Sequence, residues 1–166
     1  MRLIAFFLFV FASQIASSQT SDKLETDRGI LGYRLGYPRD SIKGITRTGK
    51  TQGLEKFRPV NDTIFWRGIR VEALNLYFFR DSLHSVIVKV MDGRDSEKVK
   101  SFCEQLYGPG EKLDQFGTRH FWRSENIILN FEENMVSGSG TLSFFHIPLV
   151  NHLERHIYDK RYGKLE

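Results

Sequence analysis

The stretch VEALNLYFFRDSLHSVIVKVM, residues 71–91, decides the fold because it has the pattern of two strands joined by a tight turn. Residues 71–79 are rich in aliphatic and aromatic side chains, and residues 80–82 (Arg-Asp-Ser) have the composition of a turn. Residues 83–91 then place four side chains on one face of a strand: His84, Val86, Val88 and Val90. Consecutive strands with a short connection pair antiparallel. The stretch therefore predicts an antiparallel β-sheet.

The second half of the chain repeats this pattern. Strands are predicted at 118–122, 127–131 and 141–147, with a turn at 124–126 and a glycine-serine loop at 137–140. Three short segments of the first half recur in the second: Phe65-Trp66-Arg67 as Phe121-Trp122-Arg123, Leu74-Asn75 as Leu129-Asn130, and Ser82-Leu83 as Thr141-Leu142. Recurrence in the same order indicates two related halves.

A helix is predicted ahead of each strand set. In residues 95–110, apolar side chains recur at helical spacing (Val99, Phe102, Cys103 and Leu106), and Gly108-Pro109 ends the helix. A shorter helix is expected at residues 40–45. The predicted fold class is α+β: an antiparallel sheet built from two α-β-β-β halves, about 38–91 and 95–148, with a short C-terminal helix. Together, residues 29–148 are expected to form one domain.

The two ends of the chain have different compositions. Residues 1–18 resemble a secretory signal, with Arg2 ahead of an apolar run at 3–12 and small residues at Ala16 and Ser18. Cleavage near Ser18 would deliver the mature chain to the periplasm or the medium. Residues 19–28 are polar and are expected to be a flexible lead-in. Residues 149–166 are expected to form an amphipathic, basic C-terminal segment that docks through Leu149, Val150, Leu153 and Ile157.

Cysteine content and charge exclude some classes of protein. Cys103 is the single cysteine, so an intrachain disulfide cannot form, and its place on the apolar side of a helix favours a buried thiol over a catalytic one. Arg2 would leave with the signal, so the net charge of +4 falls to +3. Basic and acidic residues are interspersed, which argues against a nucleic-acid-binding protein. After the leader, the sequence contains no second run that is apolar enough to span a membrane.

The chain resembles small exported bacterial domains of uncharacterised function. The shared features are a glycine-containing opening segment (Gly32-Tyr33-Arg34-Leu35-Gly36), a helix closed by Tyr107-Gly108 and a strand set led by Trp122. The layout over residues 29–148 is also similar to the tandem helix-plus-sheet repeats of the beta-lactamase-inhibitor-protein architecture. The resemblance implies a fold but carries no catalytic residues onto this chain.

Residues 44–51, GITRTGKT, match the phosphate-loop pattern, with Lys50 as the phosphate-binding lysine. Such a loop needs a buried strand before it and a long helix after it. Residues 37–43 contain Pro38 and one aliphatic residue, and Pro59 would end any helix after the motif. The surroundings favour a polar loop, so we expect no bound nucleotide and no other cofactor.

Three polar side chains of the C-terminal segment have a spacing that suits metal binding. His152, His156 and Asp159 follow one another at i, i+4 and i+7, which would place two imidazoles and a carboxylate on one helix face. The alternative function is a secreted or periplasmic enzyme, for which these three side chains would supply a metal site. Histidines at the boundary of a docking stripe are the commoner explanation.

Aromatic content gives the remaining functional indication. The chain contains 14 Phe and 2 Trp, and adjacent aromatic residues at 77–79 and 144–145 must point to opposite sheet faces. One face packs on the helices, so rings on the other would be exposed unless the termini cover it. We therefore expect a non-enzymatic domain that binds a protein or cell-envelope component through an aromatic-rich sheet face. The predicted contacts are Trp66, Tyr77, Phe79 and Trp122.

Overall fold

The computed structural model describes residues 21–61 and 63–162. The predicted signal segment, 1–18, and residues 163–166 lie outside this part of the chain. Three α-helices are described: α1 (residues 21–27), α2 (Gly93–Tyr107) and α3 (Ile147–Tyr162). The strands are β1 (Gly29–Ile30), β2 (Tyr33–Arg34), β3 (Ile45–Thr51), β4 (Leu54–Pro59), β5 (Ile64–Trp66), β6 (Ile69–Val71), β7 (Ala73–Phe79), β8 (Ser82–Val90), β9 (Glu111–Lys112), β10 (Arg119–Arg123), β11 (Ile127–Glu133) and β12 (Gly140–His146).

One large antiparallel sheet dominates the fold. Its eight strands lie in the order β3-β4-β7-β8-β12-β11-β10-β9. The hairpin predicted from residues 71–91 is the β7–β8 pair, whose register runs from Ala73 opposite Lys89 to Phe79 opposite Ser82. The register shifts beside Tyr77, where His84 is the extra residue on β8. The α+β class, the antiparallel sheet and the C-terminal helix are confirmed.

The sheet has four strands from each half, joined where β8 pairs with β12. Leu74-Asn75 lies in β7 and Leu129-Asn130 in β11, and each of these strands is one position from the junction. The two Phe-Trp-Arg segments, in contrast, do not lie in corresponding strands. Phe65-Trp66 lies in the separate β5–β6 hairpin, whereas Phe121-Trp122 lies in β10 of the large sheet. In the first half, β4 occupies the position that corresponds to β10.

The helix expected at 40–45 is only a single 3-10 turn, Arg39–Ser41. Its N-cap, Pro38, has no side chain that can accept a capping hydrogen bond, and Ile45 already begins β3. The phosphate-loop stretch is therefore not the polar loop that the sequence predicts. Residues 45–51 form β3, an edge strand paired with β4 and interrupted by a register shift between Arg47 and Gly49.

Helix α2 packs on one face of the large sheet, which we call the covered face. Asp92 caps the helix, because its side chain accepts a hydrogen bond from the backbone N–H of Asp95 at 2.8 Å. Gly108 ends it with a φ of 77°, a conformation that glycine adopts without strain. Val99 and Cys103 are buried against β11 and β12. The prediction that the Cys103 thiol is buried is confirmed.

The polar lead-in predicted for residues 19–28 contains a helix. Residues 21–27 form α1, and Leu24 is only 1% exposed in the core. The Glu25 carboxylate accepts hydrogen bonds from Ser124 and Asn126, and Asp27 accepts one from the Tyr107 hydroxyl at 3.1 Å. The sequence pattern did not predict this helix, because the helix docks through one apolar residue and these few specific polar contacts.

Helix α3 turns back over the other face of the sheet at one end. Leu153 is buried beside Gly53, and the rings of His156 and Phe79 lie 5.8 Å apart. Phe79 is therefore covered by α3. None of the helices in the described part of the chain combines the length and apolarity needed to cross a membrane.

Candidate functional site: an open sheet face

Side chains on adjacent residues of a strand point to opposite faces of the sheet, so alternation assigns each position to a face. The deeply buried positions of the central strands, such as Leu76, Val88 and Leu129, face α2 and the core. The positions between them face the other way. These are half-buried or exposed wherever α3 does not reach, and we call this surface the open face.

Strand register aligns the open face into transverse rows. The middle row crosses the sheet from β4 to β9 and consists of Arg58, Asn75, Ile87, Ser143, Asn130, Phe121 and Glu111. The row nearer α3 consists of Lys56, Tyr77, Ser85, Phe145, Ile128 and Arg123. The third row consists of Ala73, Lys89, Thr141, Glu132 and Arg119. Three aliphatic and three aromatic side chains thus lie among amide, hydroxyl and charged groups.

Polar groups of the middle row are only partly satisfied within the chain. Arg58 Nε donates a hydrogen bond to Asn75 Oδ1 at 2.9 Å. The Oδ1 atom of Asn130 is buried and has no hydrogen-bond partner among residues 21–61 and 63–162. An unpaired buried carbonyl oxygen costs free energy that a donor placed beside it would recover. Because this atom is enclosed, it lies within the packing of the sheet and offers no contact to a partner.

The open face is basic. Its rows contain five basic side chains (Lys56, Arg58, Lys89, Arg119 and Arg123) and two acidic ones (Glu111 and Glu132). Lys89 pairs with Glu72 at 3.2 Å, and Arg119 with Asp114 at 3.5 Å. The other three have no carboxylate within ion-pair distance in the described part of the chain. One of them, Lys56, has its ammonium 5.8 Å from the centre of the Tyr77 ring.

The four predicted contact residues do not lie together. Tyr77 alone is on the accessible part of the open face. Phe79 is 3% exposed beneath α3, and Trp122 is 5% exposed on the covered face, where its Nε1–H donates to the Gly108 carbonyl at 2.7 Å. Trp66 lies in β5, edge-on against Phe102 of α2. Phe79 and Trp122 are thus core residues, and the prediction that they are exposed contacts is wrong.

Two aromatic residues of the open face, Phe121 and Phe145, are not among the predicted contacts. Each is adjacent in sequence to a buried ring, Trp122 and Phe144 respectively, and so points the opposite way. The alternation of side chains along β10 and β12 indicates this outward orientation from the sequence alone. Following this alternation along β10 selects Phe121 for the open face instead of the predicted Trp122.

The residues of the metal hypothesis lie along α3. His152 and His156 are exposed and Asp159 is half-buried. Among the described residues, no three His, Cys, Asp or Glu side chains come together in a way that could hold a metal ion. His156 instead packs its ring against Phe79. The helix therefore uses this histidine in docking.

Lys50 lies in β3 and points toward the covered-face side, opposite Glu55 of β4. A turn and then β4 follow this strand, so its backbone N–H groups do not converge at a helix N-terminus as a phosphate loop requires. Arg47 of the same strand pairs with Glu55 at 3.0 Å. Charged side chains and an irregular register are typical of an edge strand that resists pairing with other chains.

Buried histidines are a further feature of the core. His84 Nδ1 lies 3.1 Å from Ser85 Oγ, but both residues are under 5% exposed, so this pair offers no access to a substrate. Burial, with a further contribution from the nearby His146, lowers the pKa of His84 to about 4. Burial also lowers the pKa of His120 and His146. These imidazoles are neutral at pH 7.

Comparison of the chain with protein-family models, with curated proteins and with solved structures finds no match.

Proposed function

We propose that this chain is an exported, non-enzymatic domain that binds a protein or cell-envelope component through the open face. The observation that carries the proposal is the three-row surface, because it combines half-buried apolar side chains with basic side chains that have no acidic partner among the described residues. Rigid sheets that present aromatic rings among polar groups are suited to recognition. The signal-like segment at residues 1–18 supports export.

The position of the aromatic rings supports binding over a purely structural role. Tyr77, Phe121 and Phe145 lie on three different strands, β7, β10 and β12, so they are spread across the face. None of them is needed to close the core, which the opposite positions of the same strands already fill. Half-buried rings on a rigid backbone lose little conformational entropy when a partner covers them.

The test is a quantitative pull-down with the full-length chain carrying a C-terminal affinity tag, from an envelope extract of the source cells. The Tyr77→Ser, Phe121→Ser double variant removes two rings of the open face. Phe65→Ser, an exposed ring on β5, is the matched control. We expect the control to retain a saturable partner that the double variant loses. Equal capture by both variants would exclude the open face as the binding surface.

A further inference from the structure

We infer that the partner of the open face is an acidic, extended protein segment. The inference rests on the proposed function, because it names the chemistry of what binds the same surface. Its first support is charge: Lys56, Arg58 and Arg123 have no acidic partner within ion-pair distance among the described residues, and they lie at the two sides of the face. An acidic partner would supply the carboxylates that these side chains lack.

The size of the face favours a segment over a second copy of this chain. From β4 to β10 the face is six strands wide, which corresponds to roughly 24 Å at about 4.8 Å per strand. Three rows separated by about 7 Å give an area of roughly 400 Å², half of the about 800 Å² that each partner of a standard interface buries. Two such basic faces would also repel one another if they met.

The order of basic, apolar and amide side chains across the face fits an extended segment, a strand or a coil, that lies along the middle row. Basic groups stand on the β4 side (Lys56 and Arg58) and on the β10 side (Arg123), with aliphatic, aromatic and amide groups between them. A segment with acidic residues toward its ends would reach both basic sides.

The probe is a fluorescein-labelled peptide of twenty glutamates, with binding to the full-length chain followed by anisotropy at low salt. The face variant is the triple Lys56→Gln, Arg58→Gln, Arg123→Gln. The control is the triple Lys43→Gln, Lys50→Gln, Arg94→Gln, which removes the same charge from exposed positions off the face. We expect the face variant to weaken binding at least tenfold and the control less than twofold. Binding should weaken as salt rises.

Several outcomes would overturn the inference. An equal loss of peptide binding in the two triple variants would show that the peptide is attracted by net charge only. Absence of binding to the unmodified chain would show that the protein does not recognise acidic chains. A stronger, face-dependent preference for polygalacturonate or for phosphatidylglycerol vesicles would assign the face to a glycan or to a lipid surface. If the pull-down captures a partner through the open face while the glutamate peptide does not bind, the inference fails and the proposed function stands. If neither capture in the pull-down nor binding of the glutamate peptide depends on the open face, the inference and the proposed function both fail.

Discussion

The carboxylate of Glu25 in α1 accepts a hydrogen bond from the backbone N–H of Asn126, 101 residues later, at 2.9 Å. The same carboxylate accepts bonds from Ser124 Oγ at 2.9 Å and from Asn126 Nδ2 at 3.1 Å. One side chain thus holds the N-terminal helix against the β10–β11 turn. Ordering of the segment depends on this contact as well as on burial of Leu24.

Glu25→Ala should destabilise the protein, because it leaves the Asn126 N–H and the Ser124 hydroxyl without their acceptor. Hydrogen bonds to a charged group contribute about 2 kcal/mol. We expect a loss of that order in the free energy of unfolding, measured by urea denaturation. Glu125→Ala, an exposed carboxylate of the same turn, is the control. Equal effects of the two variants would show that the contact adds no stability.

Acid should destabilise the fold over a window set by the buried histidines. His84 has a pKa of about 4 in the folded protein, against 6.5 for a free histidine, so the unfolded chain takes up the proton first. Stability from this residue is therefore complete above about pH 6.5 and is lost as the pH falls toward 4. The difference corresponds to about 3 kcal/mol. Urea denaturation at a series of pH values measures this loss.

The carboxylates act at lower pH. Burial raises the pKa of Glu25, but the hydrogen bonds from Asn126, Ser124 and Arg28 outweigh this and lower it below 4.5. Its contribution, like that of Asp114, whose pKa is about 2, is lost only below about pH 4.5. His84→Gln should therefore flatten the decline between pH 6.5 and 4, whereas His152→Gln, on exposed α3, should leave it unchanged. An unaltered slope in His84→Gln would contradict this assignment.

Gly140→Ala should weaken packing between β12 and α2. An added Cβ would stand 2.5 Å from Ser96 Oγ and 3.2 Å from the Phe131 ring, so these side chains must shift. Overpacking of this kind costs about 1–3 kcal/mol, which a thermal melt would register as a fall in Tm. Gly49→Ala in β3 is the control, since nothing lies within 4 Å of its added Cβ. A fall in Tm that is no larger than the control's would refute the packing argument.

Cys103 should not react with iodoacetamide at pH 8 while the protein is folded. The thiol is fully buried, and burial raises its pKa to about 12, with Glu104 adding to the shift. The reactive thiolate is therefore almost absent and is also inaccessible. We expect alkylation only in denaturant, followed by mass spectrometry. Rapid labelling of the native protein would show that α2 opens from the sheet.

The local sequence pattern was enough to predict the central strands of the sheet and α2, because the period-2 and period-3.6 spacing of apolar residues reflects burial directly. The hairpin of residues 71–91 and the buried Cys103 follow from it. The pattern did not predict α1, whose docking depends on contacts such as Glu25 with Asn126 that join distant residues. It also did not predict β3, whose polar residues form a strand only because β4 pairs with them.

The candidate site was predicted in kind but not in its residues. An aromatic sheet face follows from adjacent aromatic residues in strands, and Tyr77 lies on it. Which ring of each pair points outward depends on the register of the whole sheet and on where α3 docks. Trp122 turned inward to reach the Gly108 carbonyl, and Phe121 beside it faces out. That choice cannot be made from either residue alone.

The most direct measurement is site-specific photo-crosslinking in an envelope extract of the source cells, with p-benzoylphenylalanine in place of Tyr77. The same photo-reactive residue in place of Phe65 is the control, since Phe65 is exposed on β5, away from the open face. The account predicts a discrete adduct from position 77 that free glutamate peptide competes away, and no adduct from position 65. Adducts from position 65 alone, or from neither position, would contradict binding through the open face.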